Sequence, residues 1–224
     1  MLCMLFAPLG AGPVRLILDT DMGGGPCQDV DDVGTLCMLN ALQQNGEVEL
    51  LAIMLDTLPP DCAGAISVIQ HFYGRDDVPI GVREPRAAPS TLAHFYVHRL
   101  NTQWDSPIKS SAGLPRAVDL YRRTLGAAED GSVTIASVGV LSNLLAELLR
   151  SPPDEHSSLL GTELVRHTVH LLTIMGGSYP LGEECNFCGD RRSSAFVVDN
   201  LPADLQVLYI GFEARALTCS REAH

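Results

Sequence analysis

The stretch Leu16-Ile-Leu-Asp-Thr-Asp-Met-Gly-Gly-Gly-Pro-Cys-Gln-Asp-Val-Asp-Asp32 decides the fold. Its first five residues, Leu16 to Thr20, are a short apolar run that reads as a buried strand. Its end leads into Asp32 to Gln44, which has helical character and stops at Asn45-Gly46, a helix-termination signal. The same alternation continues outward. Val48 to Leu55 reads as a strand, Asp61 to Tyr73 as a helix and Val78 to Val82 as a short strand. The segment Arg83 to Pro115 is expected to hold loops and one helix around Leu92–Leu100. Arg116 to Leu125 reads as a helix and Ser132 to Val138 as a strand. Leu141 to Arg150 reads as a helix that Pro152-Pro153 cannot continue. Thr168 to Met175 is a strand closed by Gly176-Gly177, Arg191 to Asp199 a helix and Gln206 to Ile210 a last strand. Strands separated by helices predict βαβ units. The expected fold is therefore α/β: a mostly parallel, doubly wound, Rossmann-like sheet with helices on both faces, in one domain over 1–224. Ligands of such sheets sit at the carboxyl ends of the strands.

Composition narrows the classes of function. The chain has 224 residues, with 15 basic and 27 acidic side chains and a formal net charge of −12. A protein that binds nucleic acid by bulk charge needs a basic surface, so that partner is not expected. Hydrophobic residues at 46% and charged residues at 19% exclude global disorder. No apolar run is long enough to predict a membrane span. The N-terminal Met1 to Gly12 lacks the basic n-region of a signal peptide, so a cytoplasmic location is expected rather than secretion. Seven Cys residues show no regular framework, and reduced, packed thiols are expected.

Asp19, Asp21, Asp29, Asp31 and Asp32 place five carboxylates within fourteen residues. One or two acidic residues at a helix N-terminus need no special reason. Five like charges repel, and a hard cation with oxygen ligands, Ca²⁺ or alternatively Mg²⁺, is the usual compensation. An EF-hand loop starting at Asp19 would need Glu at its twelfth position, where Val30 stands. An Asp-based Mg²⁺-dependent phosphatase of the haloacid dehalogenase type fits Asp19-Thr-Asp21-Met but not Gly23 at the fifth position.

Asp19-Thr-Asp-Met-Gly23 followed by Asp29-Val-Asp-Asp32 resembles the N-terminal signature of the inosine–uridine-preferring nucleoside hydrolase family. Collinear resemblances follow in Val48 to Ile53, Tyr73 to Gly81 and Val133 to Asn143. They continue in Ile174-Met-Gly-Gly-Ser178, Glu184-Cys-Asn186 and Asp190, so that the likeness spans Leu16 to Thr218. It implies hydrolysis of the N-glycosidic bond of ribonucleosides with a Ca²⁺-activated water, and a small-molecule nucleoside or related riboside as substrate. It implies Asp21 as general base and metal ligand, Asp32 and the carbonyl of Val138 as further metal ligands, and Asp19 as support. Asp31, Asp56, Glu184 and Asn186 would bind the ribose. Family members commonly form dimers or tetramers, so a homo-oligomer is among the expected partners. A non-catalytic Ca²⁺- or ribose-binding relative is the alternative. The family's acidic loop is shorter, and Gly24-Gly-Pro-Cys-Gln28, or most of it, reads as an insertion between Gly23 and Asp29. Family members also continue beyond Glu213 with a His-Asp pair, so the chain reads as most of a longer fold.

Three features remain. Cys185-Asn-Phe-Cys188 is a lone pair and is expected to pack rather than bind zinc. His94 and His98 could share a helix face without forming an H-E-x-x-H site. Trp104 and Tyr96 are expected to be buried, with stacking on a base as the functional alternative.

Overall fold

The computed structural model describes residues 12–23, 31–83 and 95–214. The elements in chain order begin with β1 (Val14–Thr20), α1 (Asp31–Gln44), β2 (Val48–Leu55), α2 (Pro60–Phe72) and β3 (Ile80–Val82). They continue with α3 (Phe95–Gln103), α4 (Ala117–Gly126), β4 (Val133–Ser137), a π-helical segment Ser142–Glu147 and α5 (Leu148–Arg150). The last are α6 (Gly161–Thr168), β5 (Val169–Met175), α7 (Cys185–Gly189), α8 (Arg191–Asn200) and β6 (Gln206–Ile210).

The six strands form one sheet in the order β3-β2-β1-β4-β5-β6, and all five pairings are parallel. Side chains alternate across a strand, so β1 feeds two cores. Leu16 and Leu18 face one layer, with Leu36 and Leu39 of α1, Ile66 of α2 and Val97 of α3. Ile17 faces the other, with Leu120 and Tyr121 of α4, Leu148 of α5, Leu164 of α6 and Val197 of α8. Winding from β1 to one edge and from β4 to the other places the helices on opposite faces, as right-handed crossovers require. Fully burying a side chain such as Ile17 or Leu18 contributes roughly 1.5–3 kcal/mol. The expected doubly wound architecture is therefore observed, and the order reverses between β1 and β4.

Local boundaries differ in instructive ways. The expected helix Leu141–Arg150 begins as a π-helical segment, in which Ala146 N–H donates to the Leu141 carbonyl, an i to i+5 bond. The strand read as Val78–Val82 starts only at Ile80, because Pro79 has no N–H to donate. Helices α6 and α7 lay outside the sequence reading. Helix α6 is seated through Gly161, where a Cβ would lie 1.7 Å from the Leu148 carbonyl oxygen. Cys37, Cys62 and Cys188 are free thiols as expected, whereas Cys185 is in a disulfide, a correction to the reading of reduced cysteines. Among the described residues, no helix is long and apolar enough to cross a membrane.

Candidate functional site

The order reversal between β1 and β4 opens the sheet at their carboxyl ends, the place where such folds bind ligands. Two backbone hydrogen bonds organise that rim. Val138 N–H donates to the Asp19 carbonyl and Asp56 N–H donates to the Thr20 carbonyl, each at 2.9 Å. These bonds set Asp56 on one side of the β1 exit and Val138 on the other. Gly139 packs against the same exit: a Cβ there would lie 2.5 Å from the Asp21 backbone nitrogen.

Four carboxylates converge at this rim. Asp19 is wholly buried, and Asp21, Asp32 and Asp56 are 8%, 5% and 3% exposed. Tyr121 Oη donates to Asp19 Oδ2 at 2.8 Å, while Asp19 Oδ1 is buried with no hydrogen-bond partner among the described residues. Thr20 Oγ1 donates to Asp32 Oδ1. Ser142 Oγ donates to Asp56 Oδ2 at 2.5 Å, and Arg83 Nη1 lies 3.3 Å from Asp56 Oδ1. Ser142 is the first residue of the π-helical segment that follows β4.

Burial and mutual repulsion raise the proton affinity of the cluster. Burial, then the charge of Asp56, pushes the Asp19 carboxyl well up, against the Tyr121 hydrogen bond. Burial, then Asp32 and Asp56, pushes Asp21 up strongly. Burial raises Asp32, with the Thr20 hydrogen bond opposing it. Asp21 and Asp32 also hydrogen-bond each other. An all-oxygen donor set of this kind, with an orphaned carboxylate oxygen, suits a hard divalent cation. Among the described residues alone, no three carboxylate, imidazole or thiol side chains form a metal-binding group. Asp29 and the Gly24–Gln28 loop lie outside the described residues.

The other expected site residues fall nearby in different roles. Asp31 is exposed at the start of α1, and its Oδ1 accepts from Asp32 N–H at 3.1 Å. Glu184 caps α7: its carboxylate accepts from the N–H groups of Gly177, Asn186 and Phe187 at 3.0, 2.8 and 3.2 Å. Asn186 Nδ2 donates to the Val138 carbonyl at 2.9 Å and to the Met175 carbonyl at 3.1 Å. The Val138 oxygen thus already accepts one hydrogen bond and keeps a second lone pair. Gly176 belongs to the same arrangement, since a Cβ there would meet the Phe187 ring at 2.3 Å.

Sequence reading missed Thr20, Tyr121, Ser142 and Arg83. Tyr121 and Ser142 lie 102 and 86 residues from the carboxylates they serve, so no local spacing marks them. His94 lies outside the described residues. His98 Nδ1 is 2.8 Å from Asp61 Oδ2 on the surface, which joins α3 to α2. Trp104 is 61% exposed, a correction to its expected burial, while Tyr96 is partly buried against the apolar layer of α1 and α2.

No model of a known protein family matches the sequence, and no curated protein matches it by sequence. Solved structures do match by fold. "Plant nucleoside hydrolase - PpNRh1 enzyme" superposes with a TM-score of 0.59 at 19% identity, over 90% of this chain and 60% of that one. The type III effector protein XopQ complexed with adenosine diphosphate ribose gives 0.68 at 18%, over 94% and 60%. The purine-preferring ribonucleoside hydrolase from Gardnerella vaginalis gives 0.58 at 19%, over 89% and 61%. The chain therefore spans about 60% of the length of these structures and has the fold they share in that part.

Proposed function

We propose that the chain binds a riboside at the carboxyl ends of β1, β2 and β4 and hydrolyses its N-glycosidic bond. The observation that carries this reading is the convergence of Asp19, Asp21, Asp32 and Asp56, all buried, where the strand order reverses. The fold likeness to a plant nucleoside hydrolase and a purine-preferring ribonucleoside hydrolase supports it, as does likeness to an effector holding adenosine diphosphate ribose.

Carboxylates suit this chemistry for two reasons. Vicinal ribose hydroxyls donate strong hydrogen bonds to ionised oxygens, so Asp31 and Asp56 are the groups that would hold and orient the sugar. Departure of the base leaves positive charge on the ribose ring, and fixed negative charge beside it lowers that barrier. Asp21 would take the proton of the attacking water, and Asp19, held by Tyr121, keeps the β1 exit in place beneath it. Glu184 and Asn186 shape the opposite wall and fix the Val138 carbonyl.

Asp21, Asp32 and the Val138 carbonyl are the groups that would hold Ca²⁺, or alternatively Mg²⁺. When bound, such an ion supplies a water of lowered pKa. Release of reducing sugar from inosine, uridine and other nucleosides, with and without chelator, tests the reading. Sugar release that stops on chelation is the expected result. Tight Ca²⁺ binding without sugar release would leave a binding protein in place of an enzyme. Phosphate release from a simple monoester would point to the Mg²⁺-dependent phosphatase chemistry instead.

A further inference from the structure

A concavity lies beside the acidic cluster and is lined by the opposite charge. It has a volume of about 390 Å³ and is lined by Thr57 and Leu58 after β2, Val82 and Arg83 at the end of β3, and the loop from Ser111 to Arg116. In a chain with a net charge of −12, both charged residues lining it are arginines. Three local features assemble it. Arg83 N–H donates to the Leu55 carbonyl at 3.0 Å, which carries the β3 backbone past its last strand residue. Val82 N–H donates to the Pro115 carbonyl at 2.9 Å, which ties the 111–116 loop to that same strand end. Arg116 then serves as the N-cap of α4, with no side-chain hydrogen bond to the helix's first N–H groups. Arg83 at the end of β3 and Arg116 at the head of α4 thus line one hollow.

The cavity adjoins the riboside site through one ion pair. Arg83 Nη1 lies 3.3 Å from Asp56 Oδ1, and Asp56 belongs to the buried cluster. Arg116 Nη1 also lies 3.9 Å from Asp119 Oδ1, and its Nη2 lies 4.0 Å from Glu147 Oε2. Both guanidinium side chains keep access to solvent, at 29% and 47%. Planar guanidinium groups match the oxygens of a phosphate.

We infer that this cavity receives the phosphate of a phosphorylated riboside whose sugar lies at the acidic cluster. The inference rests on the riboside reading above and names its substrate class: ribose esters of phosphate or pyrophosphate rather than uncharged nucleosides alone. The carboxylates and the arginines then divide the ligand, hydroxyls to one and phosphate oxygens to the other.

Calorimetric titration of the full chain with ribose 5-phosphate, ribose and inorganic pyrophosphate tests it. Ribose 5-phosphate is expected to bind about tenfold more tightly than ribose. Arg116→Gln should bring the two to parity, and Arg116→Lys should keep part of the preference. Circular dichroism melts of both variants show that the fold persists. Equal binding of ribose and ribose 5-phosphate by the unaltered chain overturns the inference while the riboside reading stands. So does a preference that survives Arg116→Gln. Pyrophosphate binding that Arg116→Gln abolishes, with no binding of either sugar, overturns the riboside reading itself and leaves a site for a free anion.

Discussion

The phenol of Tyr121 donates a 2.8 Å hydrogen bond to Oδ2 of Asp19, and both side chains are fully buried. This bond crosses from the α4 layer to the end of β1 and steadies the innermost carboxylate. Tyr121→Phe keeps the ring and removes the donor. It should cost about 1–3 kcal/mol, since a buried acceptor loses its partner. Urea denaturation of the two proteins measures the loss, and equal midpoints would refute the assigned role.

The pH dependence follows from the raised carboxyls. Folded Asp21 and Asp32 hold protons above the ordinary aspartate value of 3.8, so the native chain binds more protons than the unfolded one from there upward. Their contribution to stability is present at acidic pH and is lost as pH rises through the folded pKa values. The metal-free chain should therefore melt at a lower temperature near about pH 8 than near about pH 5. If Ca²⁺ binds as proposed, adding it should restore much of the loss at the higher pH, because a ligand of the native state stabilises it. Thermal melts with chelator and with Ca²⁺ give the comparison.

Asp21→Asn separates stability from activity. Removing one of several repelling carboxylates should raise the melting temperature of the metal-free chain. The same change removes the proposed base and should lower riboside hydrolysis by about 10²–10⁴-fold. A variant that retained full hydrolysis would reassign the base.

Gly139→Ala probes the close contact at the β1 exit. The added Cβ would lie 2.5 Å from the Asp21 nitrogen and 3.0 Å from the Thr20 carbonyl carbon, which are backbone atoms that cannot rotate away. Overpacking of this kind costs about 1–3 kcal/mol. Because the displaced backbone carries Asp21, riboside binding should weaken together with the melting temperature. Titration calorimetry beside a thermal melt reads both.

Asn186→Leu removes the amide that bridges the Val138 and Met175 carbonyls at 2.9 and 3.1 Å. Two partly buried acceptors lose a donor, at a cost of up to about 1–3 kcal/mol each when left unpaired. Asn186→Asp keeps the shape but replaces the donor with a charge, and should be at least as destabilising. Denaturation of both variants distinguishes loss of the donor, common to both, from the change of side-chain shape that only Leu brings.

Much of the architecture was legible in the chain because it depends on local patterns. Leu16-Ile-Leu followed by Asp-Thr-Asp marks a strand that ends in polar groups, and Asn45-Gly46 marks the end of the helix that follows. Helix α7 escaped that reading because five residues around Cys185 to Gly189 are too few to show a period. Its cap, Glu184, was legible only as a sugar ligand. The structure engages its oxygens with three backbone N–H groups, and that geometry depends on the turn at Gly177.

By itself the sequence determined an α/β alternation and the crowding of Asp19, Asp21, Asp31 and Asp32 at the first strand-to-helix junction, because periodicity and neighbouring charge are properties of contiguous residues. Only the tertiary structure decided that the sheet reverses between β1 and β4, and that β2 pairs with β1 so as to carry Asp56 into the cluster. Only it brought Tyr121 and Ser142 onto those carboxylates and set Arg83 and Arg116 in one cavity beside them. These are contacts between residues tens of positions apart, and they exist only once two apolar layers have closed on opposite faces of the same sheet.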